Sequence, residues 1–223
     1  MTLNVLGIST SPRLRSNSDL LLCEALRGAE SAGAATDYVT LRDLEFGPCV
    51  ACGACAKTGR CRFDDPFQDV FEKMLAADRL VFATPVFFAA VGAQGKRLID
   101  RCQCLWSRKY LLKEPLYPDG PRDRRALVIA VAGSRGRKMF DGIRLTMKYW
   151  FDSLEMAHFA NLFVNQVDAA GDVLKHPRAM AEAFRLGAAL ADADAPASDT
   201  PTDVELFEGL GDAARPAGTR DGS

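Results

Sequence analysis

The chain has 223 residues, 48% apolar and 26% charged, with a formal net charge of −1. That apolar content excludes general disorder, and the even spread of charge excludes a fibre. The longest apolar run, residues 80–93, is broken at Thr84-Pro85 and falls short of the roughly 18 residues of a membrane helix. The amino-terminal residues carry no basic stretch or cleavage site, so a cytoplasmic protein with no membrane partner is expected.

Residues 4–9 form an apolar run ending in Ser-Thr-Ser-Pro, the pattern of a buried strand followed by a loop. Residues 18–32 repeat Leu21, Leu22, Ala25 and Leu26 at helical spacing behind Ser16 or Asn17 as N-cap. Residues 36–41 alternate as an edge strand. A cysteine-rich loop, 48–63, comes next, and Pro66 launches a helix over 67–77. A strand over 79–83 leads into the apolar segment 84–91 and a helix from 92 to 105 or beyond. Residues 124–132 are almost continuously apolar, as in a strand buried on both faces. A helix over 140–154, a strand over 158–166 and a helix over 177–191 complete the alternation. Five strands interleaved with helices predict a doubly wound parallel sheet in one domain, residues 1–191.

Residues 192–223 differ from this body. They hold eight acids and two bases, which leaves the body at +5. A mildly positive body suits an anionic ligand or acidic partner, and its charge is too weak and scattered for nucleic acid. The acidic tail reads as mostly disordered, with a short helix over 203–210.

Seven cysteines occur, four of them as Cys49-x2-Cys52-x2-Cys55-x5-Cys61. An odd total in a chain without a visible signal argues against a disulfide framework. Thiolates this closely spaced suit a metal. The run resembles the wrap around an iron–sulfur cubane, whereas zinc sites more often use two separated knuckles, and both remain open on spacing alone. Cys23, Cys102 and Cys104 are expected as small buried hydrophobes.

In open parallel sheets, ligands bind beyond the carboxyl ends of the strands. The loop after the first strand offers Ser9, Ser11, Arg13, Ser16, Asn17 and Ser18 just before a helix N-terminus, a combination that can cradle a phosphate. It contains neither the Walker lysine nor the glycines of a dinucleotide fingerprint. After the third strand, Pro85, Val86, Phe87 and Phe88 could floor a planar ring, or serve as core or an oligomer contact. After the fourth, Ala132, Gly133 and Ser134 allow close backbone approach. Together the three loops outline a flavin mononucleotide site. His158 and His176 lie outside them, so no residue is assigned acid–base work and the flavin would carry the chemistry.

These segments resemble the NAD(P)H-dependent FMN reductases of the flavodoxin-like fold, and more narrowly the iron–sulfur flavoproteins. The likeness runs over about residues 3–190. It rests on 9–18, the cysteine loop followed by Asp64-Asp65, and Thr84-Pro85-Val86-Phe87-Phe88, and extends to 93–101 and 138–142. It implies a five-stranded sheet of order 2-1-3-4-5, FMN on the three strand loops, and a [4Fe–4S] cluster on Cys49, Cys52, Cys55 and Cys61. It also implies a homodimer or homotetramer. Phe87 stands where the family commonly has a hydroxyl-bearing aromatic, and Arg135-Gly136-Arg137 replaces a glycine-rich stretch.

Flavin exchanges electrons singly or in pairs and a cubane cluster exchanges one, so a protein with both can couple the two regimes. The leading expectation is therefore an oxidoreductase passing electrons between cluster and flavin. Its donor would be a ferredoxin-like protein or NAD(P)H, and its acceptors quinones, oxygen species or other small molecules. A flavin or quinone reductase without a functional cluster is the alternative, and a non-enzymatic redox sensor the third.

Overall fold

Parallel strands alternate with helices along the computed structural model, which describes residues 2–120, 122–194 and 200–208. Strand β1 (Asn4–Ser9) lies between β2 (Ala35–Thr40) and β3 (Arg79–Phe87). β3 turns back through the two-residue β4 (Ala90–Val91), and on its other side pairs with β5 (Arg125–Val131). β6 (Ala157–Val164) and β7 (Thr202–Leu206) continue the sheet, giving the order β2-β1-β3-β5-β6-β7. The first five strands along this path keep the order 2-1-3-4-5 expected of a flavodoxin-like sheet. Among the described residues there are seven strands rather than five, because β4 and β7 were not anticipated.

Helices cover both faces. The first is α1 (Asn17–Ser31), and the cysteine loop holds the single turn α2 (Cys55–Thr58). Then come α3 (Phe67–Ala76), α4 (Ala93–Arg101) and α5 (Gln103–Trp106), which runs on into a π-helical turn, Ser107–Leu112. The expected 92–105 helix thus breaks at Cys102. Last are α6 (Asp141–Ser153) and α7 (Ala179–Leu190). On one face Leu22, Leu26 and Leu186 pack with Val5, Val81, Leu127 and Leu162. On the other Phe67, Leu98, Met147 and Trp150 pack with Ile8, Phe82, Val128 and Phe163. β5 is buried at every residue, as its continuous apolar run requires. α1 and α7 cross so closely that a Cβ on Gly28 would fall 2.0 Å from the Phe184 carbonyl oxygen, and one on Gly187 1.8 Å from that of Ala25. Only glycine fits either crossing point.

At the amino ends of the strands two arginines lie buried among carbonyls. Arg124 donates from Nε to Ala77 O at 2.9 Å and from Nη1 to Leu154 O at 2.6 Å, with Nη2 on Met74 O. Arg79 reaches Leu190 O at 2.8 Å and Asp123 Oδ2 at 2.9 Å. Arg124 caps the last turn of α3 and the carboxyl end of α6, where orphan carbonyls need donors.

The tail departs from expectation where it is described. Instead of a helix over 203–210, Thr202–Leu206 is a strand paired to β6, with Leu162 opposite Val204 and Val164 opposite Leu206. The polar–apolar alternation Asp203-Val204-Glu205-Leu206 is the period of a strand, and an open edge beside β6 gives it a partner. Residues 209–223 lie outside the described part. Cys23 is also exposed rather than buried, while Cys102 and Cys104 are buried as expected. Among the described residues no helix is long and apolar enough to cross a membrane.

Candidate functional site

The loop after β1 is built around the start of α1. Ser16 is the N-cap: its hydroxyl accepts from Asp19 N at 3.2 Å, and its own N–H reaches Asp19 Oδ2 at 3.3 Å, closing a capping box. Asp19 also takes the hydroxyl of Ser9 and an ion pair from Arg42 at 3.0 Å. Its charge is therefore answered inside the protein. Ser9 is spent on this contact, so of the expected hydroxyls it is turned into the fold rather than outward.

Asn17 ties the loop to the one after β6, donating to Ala169 O at 3.0 Å and accepting from Val173 N at 3.2 Å. The exposed Arg13 guanidinium reaches Asp168 O at 3.1 Å, and the Ser11 hydroxyl accepts from Arg13 N at 3.2 Å. Ser16 and Ser18 hydroxyls lie 3.0 Å apart. Thr10 lies in the same run, outside the residues expected to touch the ligand. It is fully buried, and its hydroxyl has no hydrogen-bond partner among the described residues. A buried hydroxyl without a partner costs about 1–3 kcal/mol unless something satisfies it. The signal was available, since Thr10 sits within the same hydroxyl-rich run.

Pro85, Val86 and Phe87 belong to β3 rather than to a free loop. The chain reverses at Phe88 (φ 50°) and Ala89 (φ 59°), with Phe87 paired to Ala90 and Val86 to Val91. Two consecutive positive φ values match a type I′ hairpin turn, which prefers Asn-Gly. Here it holds phenylalanine and alanine at a strain cost. The result is a raised pair of rings: Phe87 is 45% exposed and Phe88 wholly so, at 104%. α6 braces the turn, because a Cβ on Gly142 would lie 2.4 Å from Ala89 O.

The loop after β5 starts at Ala132, whose N–H donates to Val164 O at 2.9 Å and whose carbonyl accepts from Val167 N at 3.1 Å. Gly133 sits against Asp168, and the Ser134 hydroxyl points to Met139 Sδ at 3.8 Å. All three loops therefore stand at the carboxyl end of the sheet. Asp168, contacted by Arg13 and by Gly133, links the first to the third.

The cysteine loop follows the carboxyl end of β2, the strand beside β1, and opens a cavity of its own. Arg97 holds its approach, donating to Leu41 O, Leu44 O and Phe46 O, and Arg101 donates to Gly47 O at 3.1 Å and pairs with both carboxylate oxygens of Asp65. Cys49, Cys52, Cys55 and Cys61 all line one cavity of about 930 Å³, walled opposite by α4, α5, the π-helical turn and α6. Cys55 Sγ accepts from Ser107 Oγ at 3.5 Å. Burial, then the neighbouring thiols of Cys61 and Cys55, push the Cys104 thiol up to about 12. Among the described residues no three Cys, His, Asp or Glu side chains converge as a metal-holding group. The donor set has the soft chemistry of an iron–sulfur or zinc site, while its thiols stand open rather than closed on one point. No residue of the three strand-end loops lines this cavity.

With both regions described, comparison with known proteins places the chain. Residues 3–168 match the family profile described as NADPH-dependent FMN reductase. The chain belongs to this family. Within it, similar proteins include an iron–sulfur flavoprotein of Methanocaldococcus jannaschii, 39% identical over 103 residues, covering 46% of this chain and 53% of that one. An iron–sulfur flavoprotein of Methanosarcina thermophila is 35% identical over 133 residues, covering 60% of this chain and 65% of that protein. The match thus spans between half and two thirds of these relatives. In three dimensions the FMN reductase family member overlays the NAD(P)H:quinone oxidoreductase of Methanothermobacter marburgensis with TM-score 0.64 at 18% identity, covering 85% of this chain and 96% of the other. That likeness carries the fold alone.

The two histidines have structural partners. His158 Nε2 lies 2.8 Å from Asn161 Oδ1, and the buried His176 accepts from Arg178 N and Ala179 N at 3.2 Å, at the start of α7. His176 Nε2 is buried with no hydrogen-bond partner among the described residues.

Proposed function

We propose that this chain is an FMN-dependent oxidoreductase that binds the flavin phosphate on Thr10, Ser11, Arg13, Ser16, Asn17 and Ser18. The ring would rest against Pro85, Val86, Phe87 and Phe88, with Ala132, Gly133 and Ser134 as the opposite wall. The observation that carries this is the first loop. A buried, unpartnered Thr10 hydroxyl, further hydroxyls and an arginine surround the N-terminus of a fifteen-residue helix. An anion there answers the orphan donor and the helix dipole together. Arg13 supplies charge at the rim, Asn17 fixes the loop against 169–173, and the two phenylalanines exclude water from one face of a ring. Bound FMN would supply transfer of one electron or two.

We further propose a [4Fe–4S] cluster on Cys49, Cys52, Cys55 and Cys61, exchanging single electrons with the flavin. Support comes from four soft donors on one cavity wall and from the naming of the two relatives. Ser107, donating to Cys55, and the Arg101 guanidinium beside the loop are the groups that would tune such a site. The cysteine cavity and the strand-end loops share no lining residue, and the cluster would meet either the flavin of its own chain or one across a subunit boundary. The assembly would be a homodimer or homotetramer. NAD(P)H or a ferredoxin-like protein is the donor, and quinones, oxygen species or other small molecules are the acceptors. A specific observation favours the alternative of an NAD(P)H-dependent FMN or quinone reductase without a cluster: the thiols do not converge.

Anaerobic purification with iron, sulfide, zinc and flavin analysis decides between them. Cys52→Ser should remove iron and the broad visible absorption while FMN binding survives, and one-electron exchange should fall while two-electron flavin reduction persists. Zinc without iron in the wild-type protein would overturn the cluster, and absence of flavin binding would overturn the whole reading.

A further inference from the structure

Strand β7 does more than extend the sheet. Alternate residues of a strand face opposite sides. Val204 and Leu206 pack into the α1–α7 layer, whereas Asp203, Glu205 and Phe207 face α6 and the loop after β5. Arg137, in that loop, donates from Nη2 to Glu205 Oε2 at 3.0 Å, and its guanidinium lies 5.0 Å over the Phe207 ring. Among the described residues these are its only side-chain partners. Phe207 in turn stacks on Phe140 at 5.5 Å and 14°.

A second path runs through the end of β6. Gln166 donates to the Phe207 carbonyl at 2.9 Å while its Oε1 accepts from Arg135 Nε at 2.8 Å. Asn165 donates from its backbone N to Leu206 O at 3.3 Å and from Nδ2 to Arg135 O at 3.0 Å. Arg144 holds the strand by pairing with Asp203 and Glu205. The segment Arg135-Gly136-Arg137 is therefore tied to β7, directly at Arg137 and through Gln166 and Asn165 at Arg135.

We propose that β7 is a latch for the loop after β5, with Glu205 and Phe207 as positioning residues that hold Arg135 and Arg137 at the carboxyl-end site. This rests on the reading of that loop as one wall of the flavin site. A seated strand gives the wall one conformation before the flavin arrives, so less order is lost on binding. Released, the loop must be ordered at the expense of flavin affinity.

The test uses the full chain with Glu205→Gln, Phe207→Ala and Arg137→Met. Amide hydrogen exchange over residues 133–137, without flavin, reads the latch itself, and fluorescence titration reads FMN affinity. Exchange over 133–137 should quicken and FMN binding weaken, each by about five-fold, the scale of one ordinary hydrogen bond. Exchange over residues 9–18 should not change, and Arg137→Met, which removes the same pair from the loop side, should move both readouts the same way. Glu205→Gln keeps size at a half-buried position, so it tests the idea even if Phe207→Ala unfolds. Unchanged exchange over 133–137 in Glu205→Gln overturns the latch. Faster exchange with unchanged FMN affinity overturns its positioning role. Faster exchange in a chain whose wild type binds no FMN supports the latch and sinks the flavin reading instead.

Discussion

The two ends of the sheet treat their polar groups differently, although Arg125 Nη1, at the amino end of β5, is also buried without a hydrogen-bond partner among the described residues. At the amino ends, every guanidinium nitrogen of the buried Arg79 and Arg124 has a carbonyl or carboxylate partner. At the carboxyl ends, a buried threonine hydroxyl has none, two non-glycine residues hold a left-handed turn, and a phenylalanine stands wholly in solvent. Satisfied polar groups stabilise, whereas unsatisfied and strained ones persist only where the surrounding fold tolerates them. The difference assigns stability to one end and ligand chemistry to the other. It also says how each end should respond to mutation.

The largest effect belongs to the satisfied end. Arg124→Met removes three hydrogen bonds at once and leaves buried carbonyls of α3, α6 and the turn at Ala77 without donors. At about 1–3 kcal/mol for each stranded group, partly relieved by water, a loss of about 3–4 kcal/mol is expected. For a chain of this size that lowers the melting temperature by about 10 °C. FMN affinity of the folded fraction should stay at the wild-type value. Thermal unfolding and flavin titration on one sample check both, and a change in affinity would mean the two ends are not independent.

Next is the phosphate loop, where the response should invert. Arg13→Ala with Asn17→Ala should weaken FMN by about 10- to 100-fold, since a charge-assisted contact contributes about 1.5–3 kcal/mol. Because Asn17 also joins two loops, stability should fall by about 1 kcal/mol, well below the Arg124 effect. A stability loss with unchanged affinity would remove this loop from the site.

A smaller effect depends on pH. Burial, the leading cause in both, pushes the pKa of His158 and of His176 below the ordinary histidine value. Below about pH 6.5 the unfolded chain gains protons that the folded chain resists, so stability should fall as pH drops through and below that value. Above it these groups add no slope. Urea midpoints from pH 5 to 8 measure it, and His158→Gln should flatten part of the acid-side loss.

The contrast between the two ends was only half legible in the sequence. The alternation of strands and helices was plain because β5 and the cores of β1 and β3 are continuous apolar runs, a local signal. The hydroxyl-rich loop and four clustered cysteines were legible because their residue types are unusual for structure alone. What Ser9 does was not legible: its partner, Asp19, comes from the next helix, and only folding decides which hydroxyls turn inward and leave Thr10 unmatched. β7 was missed because Val204, Leu206, Phe207 and Leu210 in an acidic tail suit a short helix, and five alternating residues become a strand only beside the open edge of β6. The hairpin at Phe88-Ala89 was hidden for the converse reason. Its sequence contradicts the Asn-Gly preference of the turn, and pairing of β3 with β4 together with the close Gly142 imposes it.

That contradiction yields the smallest and sharpest test. Ala89 holds φ 59° at the second central position of the turn, where glycine has no Cβ to clash. An L-residue there costs about 1–2 kcal/mol relative to glycine, offset by glycine's greater freedom when unfolded, so Ala89→Gly should stabilise by about 0.5–1 kcal/mol. The ring-bearing positions are untouched and the turn type is favoured, so FMN affinity should hold within two-fold or improve slightly. The paired variant Phe88→Asn relaxes the same turn and removes the exposed ring. If the hairpin floors the flavin, Phe88→Asn should gain similar stability, shift the flavin absorption and weaken binding. If both variants gain stability and leave the spectrum alone, the strain has no ligand to serve, and the carboxyl end narrows to the phosphate loop and the wall after β5.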